Sequence, residues 1–420
     1  MFDLDRWQEI FSTLKKNKLR TFFTAFGVFW GIFMLIIMLG SGKGLHNGVS
    51  TGMGDMATNS MFMWTRRTTI PYKGFPRGRF YRFRNNDTQA LIDNISEIEH
   101  IAPRLQGWGG NGNNNVVRGE RTGAFTIQGD YPAYNIIDPV KMLNGRFINK
   151  IDINEKRKNA VIGIRVVDEM FEPDENPIGQ HLRIQGVYFK VVGVFQSKKN
   201  DQQADHENQQ ICIPFTTLQK TYNYGDIVGW YAITAKSNSS VSLVEEKAKT
   251  LLKTRHSISP DDDRAIGSFN VESEFKKMTN LFAGINGLIW IVGIGTLLAG
   301  VIGVSNIMLI VVKERTKEIG IQRAIGATPL NIITQIITES VFLTTLAGYL
   351  GLAIGVGIVE LVNYILIKTG ADTAMFNNPE VDFDKAITAL IILVIAGALA
   401  GFIPAKKAVS IKPIDAIRNE

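Results

Sequence analysis

Cysteine is nearly missing from this chain. A single one, Cys212, stands in 420 residues, and histidine occurs five times. One cysteine excludes an intrachain disulfide framework. It sits in QQICIPF (209–215), which reads as a buried strand, so Cys212 reads as a small core hydrophobe rather than a reactive thiol. His46, His100, His181, His206 and His256 are scattered without ligand spacing, so a zinc site is not expected. No nucleophile–base signature of the G-x-S-x-G kind is present. GSGKG (Gly40–Gly44) only resembles a phosphate loop: Ile37 occupies the first glycine position and Gly44 replaces the hydroxyl residue that would bind magnesium. It is expected to be a flexible exit from an apolar helix. The chain is therefore expected to be non-catalytic and to bind no cofactor of its own.

Charge is missing too, but only locally. Overall, 45% of residues are hydrophobic and 20% charged, which is ordinary. Four stretches carry no charge at all: Thr21–Ser41, Met278–Val312, Ser340–Val359 and Ala386–Ala405. Each reaches the roughly 20 residues that a helix needs to cross about 30 Å of hydrocarbon. Four such runs do not fit one soluble core, and the pattern predicts four transmembrane helices. The first run is too long for a cleaved signal core and no A-x-A-like site follows it, so it reads as a retained anchor. The second covers about 35 residues, about 52 Å if helical, more than one crossing needs. It is expected to carry a stalk extension beyond the bilayer.

Loop charges orient the spans. Arg6, Lys15, Lys16, Lys18 and Arg20 precede the first; Lys313, Arg315, Lys317 and Arg323 lie between the second and third; Lys406, Lys407, Lys412 and Arg418 follow the fourth. The loop between the third and fourth holds Lys368 and Lys385 against Asp372, Glu380, Asp382 and Asp384. The positive-inside rule puts both termini and the segment 313–339 in the cytoplasm. The net charge of +7 follows in part from this bias and is weak support for nucleic-acid binding.

The expected organisation is an amphipathic interface helix over 1–20, with Trp7 at the headgroup layer, then a first span at 21–41. An extracytoplasmic α+β domain occupies 42–280. The second span with its stalk covers 281–312, a cytoplasmic helix and turn 313–339, the third span 340–367, a short outer loop 368–385, the fourth span 386–405 and a tail 406–420. Within the domain, Phe80–Arg84, Gly123–Gly129 and His181–Phe195 alternate as strands do. Asn86–Ile101 and Ser242–His256 read as amphipathic helices. Gly109–Asn115 and Ser197–Gln210 read as polar loops, and Ser259–Asp263 as a turn. Small residues recur at helical spacing in the spans: Gly27/Gly31, Gly295/Ala299/Gly303, Ala347/Gly351/Gly355 and Gly397/Gly401. They allow close helix approach, either within one chain or across a dimer. Arg66–Arg84 interleaves seven basic residues with five aromatics. It reads as a solvated strand face or as a contact for an anionic partner, lipid or substrate.

The segment KERTKEIGIQRAIGATP (Lys313–Pro329) reads as a short helix ended at Gly326, with Thr328 capping the next helix and Pro329 in its first turn. Physics alone leaves it as either a connector or a contact. GVSNIMLIVVKERTKEIGIQRAIGAT (Gly303–Thr328) resembles the coupling segment of the MacB/FtsX-type ABC permeases, the mechanotransmission family. Asn159–Phe195, Ile213–Gln219, Leu14–Ile32 and IPAKKAVSIKPIDAIRNE (Ile403–Glu420) resemble other parts of that family, and the likeness is weakest over Gly52–Gly123.

The resemblance implies one span, a large periplasmic domain and three further spans in the bacterial inner membrane. It implies a dimer with a second permease copy, and a cytoplasmic ABC ATPase holding ATP and magnesium. Glu314, Arg315, Glu318, Ile319, Gly320, Arg323 and Gly326 would form or shape the ATPase contact, with Glu339 bracing it. Members with a fused ATPase carry it before the first span. Here about 20 residues precede that span, so the ATPase is expected on a separate chain. Efflux with a periplasmic adaptor and an outer-membrane channel, lipoprotein release, and FtsX-like activation of cell-wall hydrolases all stay open. So does a receptor that works without ATP, though the coupling motif weighs against it.

Overall fold

The computed structural model describes residues 18–52, 56–107, 115–199, 201–369 and 376–410. The first long helix, α1, is Lys18–Gly52. The domain that follows begins with β1 (Ser60–Thr65), β2 (Phe83–Arg84), α2 (Asn85–Asn94) and β3 (Ile98–Gln106). Next come β4 (Val116–Arg118), β5 (Arg121–Gly123), β6 (Thr126–Asp130), α3 (Tyr134–Ile137), β7 (Lys141–Gly145), α4 (Lys150–Asn154), β8 (Asn159–Gly163) and α5 (Ile164–Met170). They are followed by β9 (His181–Ile184), β10 (Val187–Gln196), α6 (Asp201–Asn208), β11 (Gln210–Pro214) and α7 (Phe215–Thr221). The domain closes with β12 (Ile227–Val228), β13 (Trp230–Ala235), α8 (Val241–Arg255) and β14 (Ile266–Asn270). Four helices complete the chain: α9 (Val271–Glu314), α10 (Thr316–Ala324), α11 (Pro329–Thr369) and α12 (Phe383–Val409).

The chain divides into two compact units, residues 50–280 and residues 1–49 with 281–420. The first is α+β. Its main sheet runs β14-β1-β13-β3-β6-β11-β8-β10-β9-β4-β5, with β7 also on β10. β11 lies parallel to β6 and β8 parallel to β10; the other pairings are antiparallel. β8, β11 and β13 are buried on both faces over most of their length and read as continuous apolar runs, as central strands do. Cys212 lies in this core, and burial pushes its thiol well above its ordinary value.

Several local expectations change. Only Asn85–Asn94 of the expected helix over Asn86–Ile101 is helical; β3 starts at Ile98. Ile101 pairs with Ile233 of β13, and that ladder outweighs the helical spacing of the charges. The expected polar loop at 197–210 contains helix α6. Its last residue, Asn208, accepts the Ser197 N–H at 2.7 Å, which closes the excursion on itself. Of Phe80–Arg84, only Phe83–Arg84 is strand. The run Gly123–Gly129 is broken between β5 and β6, where Asn115 replaces ladder bonds by receiving the Phe125 N–H at 2.9 Å and donating to its carbonyl at 2.6 Å. GSGKG is not a flexible exit, because α1 continues through it to Gly52. Its glycines make room: a Cβ on Gly40 would lie 2.7 Å from Val359, and one on Gly44 2.8 Å from Phe376. The interface helix expected over 1–20, the Gly-rich 109–115 and the C-terminal tail lie wholly or mostly outside the described residues.

The second unit is helical. α1 over Ala25–Gly48, α9, α11 and α12 are each long and apolar enough to cross a membrane. The chain is thus a four-helix membrane protein with an α+β domain between the first and second spans. α9 is unbroken for 44 residues, about 66 Å at 1.5 Å per residue. Val28, Ile32 and Leu35 of α1 pack with Leu297 and Val304 of α9 and Leu393 of α12 in one buried cluster.

Glycine sets the approach of these helices. A Cβ on Gly31 would lie 3.4 Å from the Leu297 backbone, and one on Gly351 2.5 Å from the Phe29 carbonyl. Gly27 and Gly300 face one another, Gly355 abuts Ile36, and Gly397 and Gly401 abut Thr344 and Ser340. Gly295 and Gly303 differ: a Cβ there would meet nothing within 4 Å, and Ala299 is exposed. The α9 glycines turned into the bundle are Gly293, against Leu35, and Gly300, against Gly27. Two residues advance a helix by about 200°, so Gly295 lies opposite Gly293, and Ala299 and Gly303 lie at the open edge of the contact with α1.

Candidate functional site: the segment between the second and third long helices

α9 ends at Glu314, and α10 begins at Thr316. Thr316 Oγ1 donates to the carbonyls of Val312 and Lys313, at 3.2 and 2.7 Å. Arg315 occupies the junction and joins three elements. Its Nε and Nη2 donate to Glu318 at 3.1 and 3.2 Å, and its Nη1 reaches Glu339 Oε2 at 3.4 Å. Glu339 sits in the buried face of α11 with 3% of its side chain exposed, against 47% for Glu318. A carboxylate held that deep needs its cation. Ile319 and Gly320 are buried beside this pair and pack α10 against the unit. Arg323 Nη1 donates to the Val409 carbonyl, the last residue of α12, at 2.6 Å. A cation at a helix C-terminus also meets the negative end of its dipole.

The far end of α10 is shaped by two hydrogen bonds. The Gly326 N–H donates to the Arg323 carbonyl and the Ala327 N–H to the Gln322 carbonyl, at 3.2 and 3.0 Å. That is a Schellman pair, and Gly326 has the positive φ of 110° it requires. The Asn331 N–H then meets Thr328 Oγ1 at 3.4 Å, and Pro329 opens α11. α10 is therefore a fixed helix between two sharp turns.

The large or small apolar positions of α10 and its C-cap are Ile319, Ile321, Ala324 and Ile325. The structure divides them. Ile319 points inward, while Ile321, Ala324 and Ile325 are exposed, Ile325 at 83%. Ile321 and Ile325 lie about 200° and 240° around the helix from Ile319 at 100° per residue. Leu330, on the first turn of α11, is 72% exposed. Glu314, Lys317 and Glu318 are also exposed. The outward surface thus mixes three large apolar side chains with charges. Leu330 was missed in the sequence because it falls beyond the cap, where it reads as the start of the next span.

Comparison with known proteins follows this geometry. A family profile described as the MacB-like periplasmic core domain matches residues 21–251, and one described as the FtsX-like permease C-terminal region matches residues 290–413. The chain belongs to the MacB/FtsX permease family. Among curated relatives, the pyoverdine export ATP-binding/permease protein PvdT of Pseudomonas putida is 29% identical over 99% of this chain and 60% of its own length. The macrolide export ATP-binding/permease protein MacB of Bdellovibrio bacteriovorus is 27% identical over 98% of this chain and 61% of its own. The chain thus spans about three-fifths of these relatives. The periplasmic region of MacB from Actinobacillus actinomycetemcomitans superposes with a TM-score of 0.42 at 17% identity, covering 54% of this chain and 94% of that one. Within the MacB/FtsX-type permease, α10 falls inside the permease match, and the basic-aromatic stretch falls inside the core-domain match.

Proposed function

We propose that this chain is the non-catalytic permease of an ABC export system in the inner membrane. ATP binding and hydrolysis, with magnesium, occur on an ABC ATPase domain outside these 420 residues. The observation that carries the reading is the braced segment 316–330, which holds Ile321, Ile325 and Leu330 outward between two apolar helices. The loop charges support a cytoplasmic position for this segment and for both termini. The ATPase closes on nucleotide, moves α10, and Arg315–Glu339 and Arg323–Val409 pass the movement to α9, α11 and α12. α9 is one helix from Val271 to Glu314, which supports it as the element that carries the movement towards the domain. Substrate is then handled by the periplasmic domain.

A second permease copy completes the membrane unit. The open face of α9 supports this, with Ala299 and Gly303 beside the half-exposed Phe26 and Trp30 of α1 around a cavity of about 290 Å³. Export rather than lipoprotein release or hydrolase activation is the reading that the two export-named relatives favour. An adaptor and an outer-membrane channel belong to the same proposal. The test is photo-crosslinking from position 325 in intact cells, with and without Leu330→Glu. Capture of an ATP-binding protein, lost in the variant, is the expected result. Capture of none, or capture indifferent to Leu330→Glu, overturns the proposal.

A further inference from the structure

Between β1 and β2 the chain makes an excursion, residues 66–82, that neither strand uses. Arg66–Arg84 contains seven basic residues, five aromatics and no acid. A solvated loop of that composition would be loose. This one is built. The Thr68 N–H donates to the Arg79 carbonyl at 3.1 Å, and the Gly78 N–H to the Thr68 carbonyl at 2.7 Å. At the tip, Tyr72 and Phe75 exchange backbone bonds of 3.1 and 3.0 Å around Lys73 and Gly74, whose φ angles are 48° and 82°. Two positive φ values make the tight hairpin turn that matches strand twist.

The base of the hairpin is pinned from the other end of the domain's sequence. Asp262, 1% exposed, accepts the Thr69 and Ile70 N–H groups at 2.6 and 3.1 Å and the Thr69 hydroxyl at 2.7 Å. Arg79 donates to the carbonyls of His256 and Ser257. The ordering cost of this segment is therefore already met before anything binds.

What the hairpin presents outward is not absorbed by the domain. Phe75 and Phe80 are 44% and 56% exposed, and Ile70 is exposed beside them. Arg79 lies over Phe75 at 4.0 Å and Arg82 over Phe80 at 4.9 Å. Arg84 is paired with Asp226 and Arg79 is engaged with backbone carbonyls. Among the described residues no carboxylate pairs with Arg66, Arg67, Lys73, Arg77 or Arg82. Five unneutralised cations and three exposed apolar side chains on a rigid support have the composition of a protein-binding patch, where arginine and aromatic residues dominate.

We propose that the 66–82 hairpin is a docking element for a protein partner with an acidic surface that also carries apolar side chains. A lipid surface fits less well. Arginine and aromatic side chains presented together are the composition of protein-contact hot spots. The proposal is independent of how α10 is driven.

The test uses the full chain in zwitterionic nanodiscs and a fluorescent peptide alternating Glu with Leu and Tyr, read by anisotropy. Arg67→Glu/Arg77→Glu/Arg82→Glu should weaken binding about tenfold. Phe75→Ser/Phe80→Ser, with every charge kept, should weaken it about threefold. Lys150→Glu/Arg183→Glu/Lys190→Glu, an equal charge change elsewhere on the domain, should leave it unchanged. Three outcomes overturn the proposal: no binding by the unaltered chain, equal loss in the remote triple variant, or full binding in the aromatic variant. A fourth does so through a second arm. If the hairpin variants lose binding to phosphatidylglycerol vesicles but not to the peptide, the surface serves a membrane.

Discussion

Arg315 and Glu339 form the ion pair that ties α10 to α11. Glu339 is almost fully buried, so Arg315→Ala takes a cation from a buried carboxylate. Arg315→Ala should lower the stability of the helical unit by about 3 kcal/mol. Glu318→Ala, which breaks the exposed arm of the same cluster, should cost about 0.5 kcal/mol. Thermal unfolding in nanodiscs separates the two, and Arg315→Ala/Glu339→Gln should recover part of the loss.

In the domain, Asp87 links β2, α2 and α8 by accepting from His256 and Arg255, both at 2.7 Å. Burial raises its carboxyl, but those bonds and the Arg84 N–H outweigh burial and hold it below the usual range. Asp262 at the base of the hairpin is held down in the same way, against burial, by Thr69 and Ile70. A carboxyl depressed in the folded state adds stability above its unfolded pKa of about 3.9 and loses it as pH falls through the folded value. Hydrogen exchange at residues 68–79, divided by the intrinsic amide rate at each pH, should therefore be flat from about pH 7 to 5 and rise below about pH 4. Asp262→Asn should bring the faster exchange to neutral pH.

At the scale of elements, glycine decides which helix faces meet. A Cβ on Gly397 would sit 2.1 Å from Thr344 Oγ1, where Ser340 also donates to the Gly397 carbonyl at 2.9 Å. Gly397→Leu should separate α11 from α12 and lower yield and thermal stability sharply. Gly303→Leu meets open space in the single chain and should leave its stability unchanged. If a second copy covers that face, Gly303→Leu should instead shift the particle mass from dimer to monomer. Light scattering distinguishes these results.

Within the whole molecule, α9 is the one helix that runs from Val271, near the end of the α+β unit, to Glu314. A break in it should separate binding from work. Gly284 lies in open space within α9, so proline there removes a backbone bond without a steric clash from neighbouring helices. Gly284→Pro should keep the crosslink at position 325 while export falls, measured as retained substrate in cells. Loss of both would show a general folding defect and remove α9 as the transmitting element.

The charge-free runs by themselves determined four apolar helices, because the bilayer's thickness fixes the length of an uncharged helix and the hydropathy of a run is local. The cap chemistry of Gly326, Thr328 and Pro329 is equally local, and it placed the end of α10 and the start of α11. The motif Gly303–Thr328 ties that segment to the permease family through sequence alone. Tertiary structure decided what local spacing leaves ambiguous. β3 took residues from an apparent helix because Ile101 finds Ile233 across a ladder. GSGKG became helix because Val359 and Phe376 fill the space beside its glycines. Gly300 rather than Gly295 faces α1 because the rotation of α9 is set by its neighbours. Arg323 reaches Val409, 86 residues away, and Asp262 pins a hairpin 192 residues before it. Partners so distant in sequence leave no local pattern, since only the folded chain brings them within hydrogen-bond reach.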